Sequence, residues 1–131
     1  MPESLPACFF RPDPDQADVF VPTALCRGPW DNRAQHGGPP SALLAGLLDK
    51  FENDDVDDAL EESSSGGHPP VVHPRRRHVT VRLSYGLLRP VPLAPLRVRI
   101  SPQKLGRQVH RLSARLETLD GKGLVTADAL R

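Results

Sequence analysis

The second half of the chain alternates apolar and polar residues with a period of two, which is the spacing of a strand with one buried face. Four such stretches follow one another. Their apolar positions are Val79, Val81, Leu83 and Tyr85, then Leu96, Val98 and Ile100, then Leu112, Ala114 and Leu116, and last Val125, Ala127 and Ala129. Links containing Pro or Gly separate them at residues 89–95, 102–106 and 120–123. The pattern predicts four strands joined in sequence as an antiparallel meander, with one apolar face and one arginine-rich face.

A single segment before these strands has the spacing of a buried helix. Pro39 and Pro40 suit the first turn of a helix, where an N–H would have no partner. The apolar stripe that follows is formed by Leu43, Leu44, Leu47, Leu48 and Phe51. Further upstream, residues 18–26 are apolar around Pro22, which predicts an edge strand or two short strands bent at the proline. One helix against one sheet is a two-layer α+β domain.

Composition places the domain boundaries. The chain has 131 residues, of which 34 are Leu, Ile, Val or Phe, enough for one core without disulfides. Residues 1–17 are rich in proline and acid and are expected to be an irregular lead-in. Residues 18–131 are expected to form a single domain, interrupted at about 52–77 by a loop that is first acidic and then rich in Ser and Gly.

The net charge of +1 hides an asymmetry between the two halves. Residues 1–69 carry four basic and thirteen acidic side chains, and residues 70–131 carry thirteen basic and three acidic. The arginines occupy outward strand positions and lack interleaved aromatics, so we expect no nucleic-acid partner. Two cysteines, no long apolar stretch and no basic-then-apolar N-terminus predict a cytoplasmic protein without a membrane span.

The run GPWDNRAQHGGPPS at residues 28–41 is the best candidate for a site of chemistry. It places His36, Gly37 and Gly38 at the N-terminus of the predicted helix, and Trp30 is expected to anchor this loop beneath the helix start. Glycines let a substrate approach the backbone, and free N–H groups at the positive end of the helix dipole polarise a thioester carbonyl. The alternative is an ordinary glycine turn before a helix.

The wider sequence resembles thioesterase II-type acyl-CoA thioesterases, specifically their N-terminal hotdog domain. The resemblance rests on GPWDNRAQHGGPPSALLAG, RLSYGLLRPVPLAPLRV and GKGLVTADALR, and it spans residues 19–131 apart from 52–77. Its specific parts are His-Gly-Gly before the helix and Leu88-Arg89-Pro90 after a strand. It implies a hotdog fold, in which a curved antiparallel sheet of five to six strands wraps around one central helix.

The resemblance also implies a reaction and a site: hydrolysis of acyl-CoA to free acid and CoA, without a cofactor or metal. The N–H groups of Gly37 and Gly38 would bind the carbonyl, and His36 and Asn32 would position carbonyl or water. Single-hotdog relatives use a carboxylate on the helix, and the first acid here is Asp49, which could instead be a solvated acid at the helix end. A cluster of three arginines, Arg75, Arg76 and Arg77, would contact the phosphates of CoA. The alternative is that this cluster is the solvated end of a loop.

Members of this family typically carry two hotdog repeats, with the catalytic Asp, Thr and Gln in the second repeat. A lone hotdog leaves a sheet edge unpaired, so we expect a homodimer or pairing with a second hotdog domain. The alternative function is a non-catalytic acyl-binding or dimerisation half, and a weaker one is a hotdog hydratase or dehydratase. His68, His73 and His78 form a weak candidate for a zinc site.

Overall fold

The computed structural model describes residues 6–51 and 78–131, which form six strands and one α-helix. The elements are β1 (Phe10–Pro12), β2 (Val19–Pro22), α1 (Gly38–Asp49), β3 (Arg82–Leu87), β4 (Leu96–Leu105), β5 (His110–Thr118) and β6 (Gly123–Leu130), with a 3-10 turn at Ala24–Cys26. All six strands belong to one antiparallel sheet in the order β1-β2-β4-β5-β6-β3. The sheet curves around α1, so the predicted α+β hotdog architecture is confirmed.

The core lies between α1 and the central strands β5 and β6. Leu44 and Leu48 of α1 are fully buried, and Leu43, Leu47 and Phe51 pack beside them. The inward residues of the sheet are those of the period-two pattern, namely Leu96, Val98, Leu112, Ala114, Leu116, Val125, Ala127 and Ala129. The helix stripe and the alternation in β4, β5 and β6 therefore identified the buried faces correctly, whereas Val79, Val81 and Tyr85 of the first alternating stretch are exposed.

The connectivity of the sheet differs from the predicted meander. β4, β5 and β6 do pair in sequence, but β3 pairs with β6 at the far edge of the sheet instead of with β4. Residues 88–95 consequently cross the sheet, and Val91 within them is buried. Alternation reports which face of a strand is buried and carries no information about which strand lies beside it, so this part of the prediction was wrong.

The N-terminal strands are shorter than their sequence suggested. β1 lies inside residues 1–17, where an irregular lead-in was expected, and three residues are too few to show a period. β2 ends at Pro22 and lies between β1 and β4, so it is not an edge strand. The chain is fastened here by Thr23 N–H, which donates to the Phe9 carbonyl at 2.8 Å, and by the Cys26 thiol, which donates to the same oxygen at 3.0 Å.

The outer face of the sheet, turned away from α1, is polar and rich in arginine as predicted. Arg99 and Arg115 lie directly opposite each other on β4 and β5. The carboxylate of Glu117 bridges them, at 2.5 Å from Arg99 Nε and 3.5 Å from Arg115 Nε. In the part of the chain that the structure describes, no helix is long and apolar enough to cross a membrane. The acidic insertion at 52–77 lies outside the described residues.

Candidate active site

The loop before α1 is held by backbone hydrogen bonds on both sides. The N–H of His36 donates to the Cys26 carbonyl at 3.0 Å, and the N–H of Gly28 donates to the Ala34 carbonyl at 2.8 Å. The N–H of Gln35 donates to the carbonyl of Val91 at 2.8 Å. Since Val91 belongs to the crossing segment 88–95, two of the three stretches that carry the family resemblance pack directly against each other.

The buried side chain of Gln35 strengthens this contact. Its Nε2 donates to the Pro92 carbonyl at 3.0 Å, and Ala34 and Pro92 form a β-bridge beside it. The Oε1 atom of Gln35 is buried and has no hydrogen-bond partner among the described residues. Gln35 therefore fixes the loop that precedes His36 onto the crossing segment, and it lies beneath the surface of the site.

The Leu88-Arg89-Pro90 motif anchors the other end of the crossing segment. The N–H groups of Leu88 and Arg89 both donate to the Leu124 carbonyl, at 2.8 and 3.2 Å. The guanidinium of Arg89 donates to the Gly123 carbonyl at 2.7 Å. Arg89 thus ties the crossing segment to the start of β6, which is a structural role.

At the start of α1, two backbone N–H groups have no acceptor among the described residues. Gly37 is the N-cap residue, and Pro39 and Pro40 occupy the first turn without N–H groups of their own, as predicted. The N–H of Ser41 points back to the Gly37 carbonyl at 3.4 Å. Within residues 6–51 and 78–131, no acceptor takes the N–H of Gly37 or of Gly38. These two donors are therefore available to an oxygen at the positive end of the helix dipole.

The imidazole of His36 lies directly against Gly38. A Cβ atom at position 38 would be 3.2 Å from both Nδ1 and Cε1 of His36, closer than side chains normally approach. A Cβ atom at Gly37 would be 3.7 Å from Cδ1 of Leu87 on β3. The glycines therefore leave room for the histidine ring on one side and for the edge strand on the other.

Two side chains of β3 border the site: Tyr85, which the alternation predicted to lie on the apolar face of the sheet, and Leu87, which the sequence analysis did not single out. The hydroxyl of Tyr85 donates to the Ser41 carbonyl at 2.8 Å, and burial raises the pKa of this phenol, which stays protonated at neutral pH. Leu87 is 63% exposed beside Gly37. Both residues lie in the run LSYGLLRP, just before the Leu88-Arg89-Pro90 motif, and this was the available sequence signal. The signal could be interpreted only once the pairing of β3 with β6 was known.

The polar residues upstream of the helix lie on an exposed turn. Asp31 accepts hydrogen bonds from the backbone and side chain of Arg33, at 2.9 Å from the N–H and 3.2 Å from Nε. These bonds lower the pKa of the Asp31 carboxyl. Asn32 follows in the same turn and is exposed. Trp30 is 95% exposed, so the prediction that it anchors the loop beneath the helix was wrong.

The remaining predicted site residues lie away from His36 or outside the described residues. Asp49 ends α1, which puts it about 17 Å along the helix axis from Gly38. Its carboxylate accepts a hydrogen bond from Thr80 Oγ1 at 3.2 Å. The structure therefore brings together His36, Gly37 and Gly38 but not Asp49. Arg75, Arg76 and Arg77 lie outside the described residues.

The described residues form a hotdog domain in which two N–H groups at the start of the helix have no acceptor among those residues. The family model of the acyl-CoA thioesterase N-terminal domain matches residues 26–130. The chain belongs to this family. No curated protein sequence gives a significant match.

Solved structures with the same fold include CoA complexes. A Bacillus halodurans protein solved with CoA is 17% identical with a TM-score of 0.59, and the match covers 86% of this chain and 66% of that one. A Streptococcus pneumoniae protein, described as a hypothetical thioesterase and solved with coenzyme A, is 16% identical with a TM-score of 0.58, covering 86% and 76%. A phenylacetic acid degradation-related protein from Ralstonia eutropha is 25% identical with a TM-score of 0.55, covering 92% and 80%. The chain spans just under two thirds of the Bacillus protein.

Proposed function

We propose that this domain hydrolyses acyl-CoA to a free acid and CoA. The observation that carries the proposal is the pair of free N–H groups of Gly37 and Gly38 beside the imidazole of His36. Membership of the acyl-CoA thioesterase N-terminal domain family supports it. The CoA molecules in the Bacillus and Streptococcus structures support CoA as the ligand class.

In the proposed reaction the thioester oxygen accepts hydrogen bonds from Gly37 and Gly38. A water molecule attacks the carbonyl carbon while His36 takes one of its protons, which gives a tetrahedral oxyanion that the two N–H groups stabilise. The C–S bond then breaks, and the imidazolium returns the proton to the departing thiolate of CoA. Asn32 is proposed to hold the water or the carbonyl, and Arg75, Arg76 and Arg77 to contact the phosphates of CoA.

The proposal includes a second hotdog domain, as in the double-hotdog thioesterase II type. β3 is an edge strand of the described sheet, and apolar residues in it and just before it are largely exposed, with Val79 at 67%, Val81 at 72% and Leu87 at 63%. An exposed apolar edge next to free N–H groups favours a partner strand there. The partner would also supply a carboxylate to the site, because Asp49 lies at the far end of α1.

We further propose that residues 18–131 act as one hotdog unit in the cytoplasm, in lipid metabolism. Both cysteines are free thiols, with Cys8 exposed and Cys26 buried, as suits a reducing compartment. The insertion at about 52–77 would then be an addition to this unit and not a separate domain.

The test is an assay of the purified chain against short-, medium- and long-chain acyl-CoA, with release of the CoA thiol as the readout. Hydrolysis that falls at least about 100-fold in His36→Ala supports the proposal. Acyl-CoA binding without turnover in the wild-type chain contradicts it and favours the non-catalytic half. Sizing of the same sample by light scattering shows whether a second hotdog is present.

A further inference from the structure

Trp30 is an aromatic side chain that the described fold does not use. It is 95% exposed, more than any other large apolar side chain among the described residues. A tryptophan left in water forgoes the apolar contacts of a large ring, and such side chains are enriched where a protein meets another molecule. The exposure of Trp30 therefore needs an explanation outside the core.

The loop that carries Trp30 has a fixed backbone. Residues 26–28 and 34–36 pair as the two arms of a short hairpin. The second arm also pairs with the crossing segment on its other side, so it is held between two neighbours. The N–H of Ala34 donates to the Asp31 carbonyl at 3.2 Å, which closes the tip. Trp30 is thus presented to solvent by an ordered loop.

Trp30 lies near the tip of this hairpin, and the start of α1 lies beyond its base. Arg27 is three residues from Trp30 on the first arm and bridges Gln35 on the second arm, three residues before Gly38. Three residues span at most roughly 11 Å, and neighbouring arms lie roughly 5 Å apart. The path from Trp30 to Gly38 is therefore at most roughly 27 Å long.

Arg27 supplies a cation on this path. It is exposed, and no carboxylate lies within 4.0 Å of it among the described residues. Arg33 on the other side of the tip is already paired with Asp31. The three residues that follow Trp30 are polar, so the tip lacks the wider apolar area at the centre of a protein–protein contact. One exposed ring beside one unpaired cation fits a flat aromatic ligand that carries phosphate.

We propose that Trp30 stacks on the adenine of CoA and that Arg27 contacts the diphosphate of the same molecule. Aromatic side chains bind nucleobases by stacking, and Arg is suited to phosphate. The order of thioester, diphosphate and adenine along CoA then matches the order of Gly38, Arg27 and Trp30 along the hairpin. The linear arm of CoA is long and flexible enough to follow this path. The inference rests on the proposed use of acyl-CoA as substrate.

Tryptophan fluorescence tests the stacking directly, because Trp30 is the only tryptophan in the chain. The full chain is titrated with CoA, with adenosine 3′,5′-bisphosphate, which has the adenine end of CoA, and with pantetheine, which lacks adenine. We expect CoA and the bisphosphate to quench the emission saturably, and pantetheine to leave it unchanged. The same additions to N-acetyltryptophanamide correct for collisional quenching.

A pair of substrates separates recognition of the base from a structural role of the loop. An acyl-CoA and the matching acyl-pantetheine present the same thioester with and without the nucleotide. In Trp30→Ala we expect KM for acyl-CoA to rise about tenfold with kcat unchanged, because the stacking energy is lost. Turnover of acyl-pantetheine should stay at the wild-type rate, and Trp30→Phe, which keeps a ring, should recover most of the affinity for acyl-CoA.

The matched control is Val109→Ala, which removes another exposed apolar side chain, in the β4–β5 turn. It should leave the kinetics of both substrates unchanged. Far-UV circular dichroism confirms that each variant is folded, as expected for a side chain that is 95% exposed in the case of Trp30.

The two readouts keep the stacking distinguishable from the proposed hydrolysis. Saturable quenching by CoA but not by pantetheine supports the stacking even in a chain that hydrolyses no thioester. CoA binding seen by calorimetry without quenching overturns the stacking and leaves the proposed hydrolysis in place. An equal loss of kcat/KM for both substrates in Trp30→Ala also overturns it, as does a fall in oligomer mass, which would assign Trp30 to a protein contact.

Discussion

At the scale of single residues, the candidate site is defined by what its glycines lack. Gly38 has no side chain where the ring of His36 lies, and Gly37 has none where Leu87 approaches. Pro39 and Pro40 remove the next two N–H groups of the helix, so the free donors at its start are confined to two positions. The sequence predicted the two prolines in the first turn of the helix, because an N–H there would have no partner. The contacts of Gly38 with His36 and of Gly37 with Leu87 were not predictable from the sequence, because they depend on the folded loop and on the position of β3.

Gly38→Val should lower acyl-CoA turnover by about 100-fold or more, since the new side chain displaces the ring of His36 and covers the free N–H groups. The chain should still fold, because His36 is exposed. Steady-state rates of CoA release measure the effect. The matched control is Gly46→Ala, in the middle of the same helix with open space around it, which should keep full activity. Equal turnover in wild type and Gly38→Val rules out this site.

His110 gives a pH dependence of stability. Burial lowers the pKa of His110 below its ordinary 6.5, and the neighbouring His78 and Arg131 lower it further. Below pH 6.5 the unfolded chain therefore binds more protons at this residue than the folded chain does. The contribution of His110 to the free energy of unfolding is fully present above pH 6.5, and it is lost as the pH falls through the folded-state pKa of His110.

The check is urea denaturation of wild type and His110→Phe between pH 7 and pH 5. The wild-type free energy of unfolding should fall across this range, and the variant, which keeps a ring in the same place, should show a clearly smaller fall. If the free energy of unfolding of His110→Phe falls as much as that of the wild type, the pH dependence comes from groups other than His110.

At the scale of secondary structure elements, sequence periodicity and sheet connectivity proved to be separate questions. The alternation in β4, β5 and β6 identified the buried positions, and the helix stripe was confirmed in α1, but the apolar positions of β3 are mostly exposed. The neighbour of β3 was not predictable from local pattern, because β6 pairs with it across some 40 residues of sequence. The positions of Tyr85 and Leu87 beside the site were missed for the same reason, because they depend on the pairing of β3 with β6.

The arginine-rich outer face gives a prediction about β4 and β5. Glu117→Gln removes the charge that bridges Arg99 and Arg115, so two opposed cations remain. Because both guanidinium groups are about half exposed, we expect a loss of only about 1–3 kcal/mol in the free energy of unfolding. The midpoint of urea denaturation should fall with an unchanged slope.

The matched control for this variant is Asp128→Asn, on the same face of β6. Asp128 is exposed and forms no ion pair among the described residues, so its replacement should change the free energy of unfolding by less than about 0.5 kcal/mol. If both variants lose similar free energy of unfolding, the loss reflects the change in net charge and not the ion pairs of Glu117 with Arg99 and Arg115.

At the scale of the whole molecule, the proposed pairing with a second hotdog domain can be tested at the exposed apolar residues along the β3 edge. We expect Val81→Lys to convert a dimer into a monomer, because it places a charge in the exposed apolar row without touching the core. Light scattering after size exclusion measures the mass. Turnover should fall together with the mass, since the second hotdog is proposed to complete the site.

A substitution on the outer face of β3 serves as the control for Val81→Lys. Ser84→Lys lies on the same strand but points to the outer side, so it should leave the mass unchanged. A monomeric wild-type chain with full turnover would contradict the need for a second hotdog domain.

The pairing of β3 with β6 also has a consequence during synthesis. β3 leaves the ribosome well before β6, which is its only partner in the described sheet. Until β6 follows, β3 has both edges unpaired, and an unpaired strand can associate with other nascent chains. The sheet is therefore completed only after β6 has been synthesised. The nascent chain should depend most on chaperones between the synthesis of β3 and the synthesis of β6.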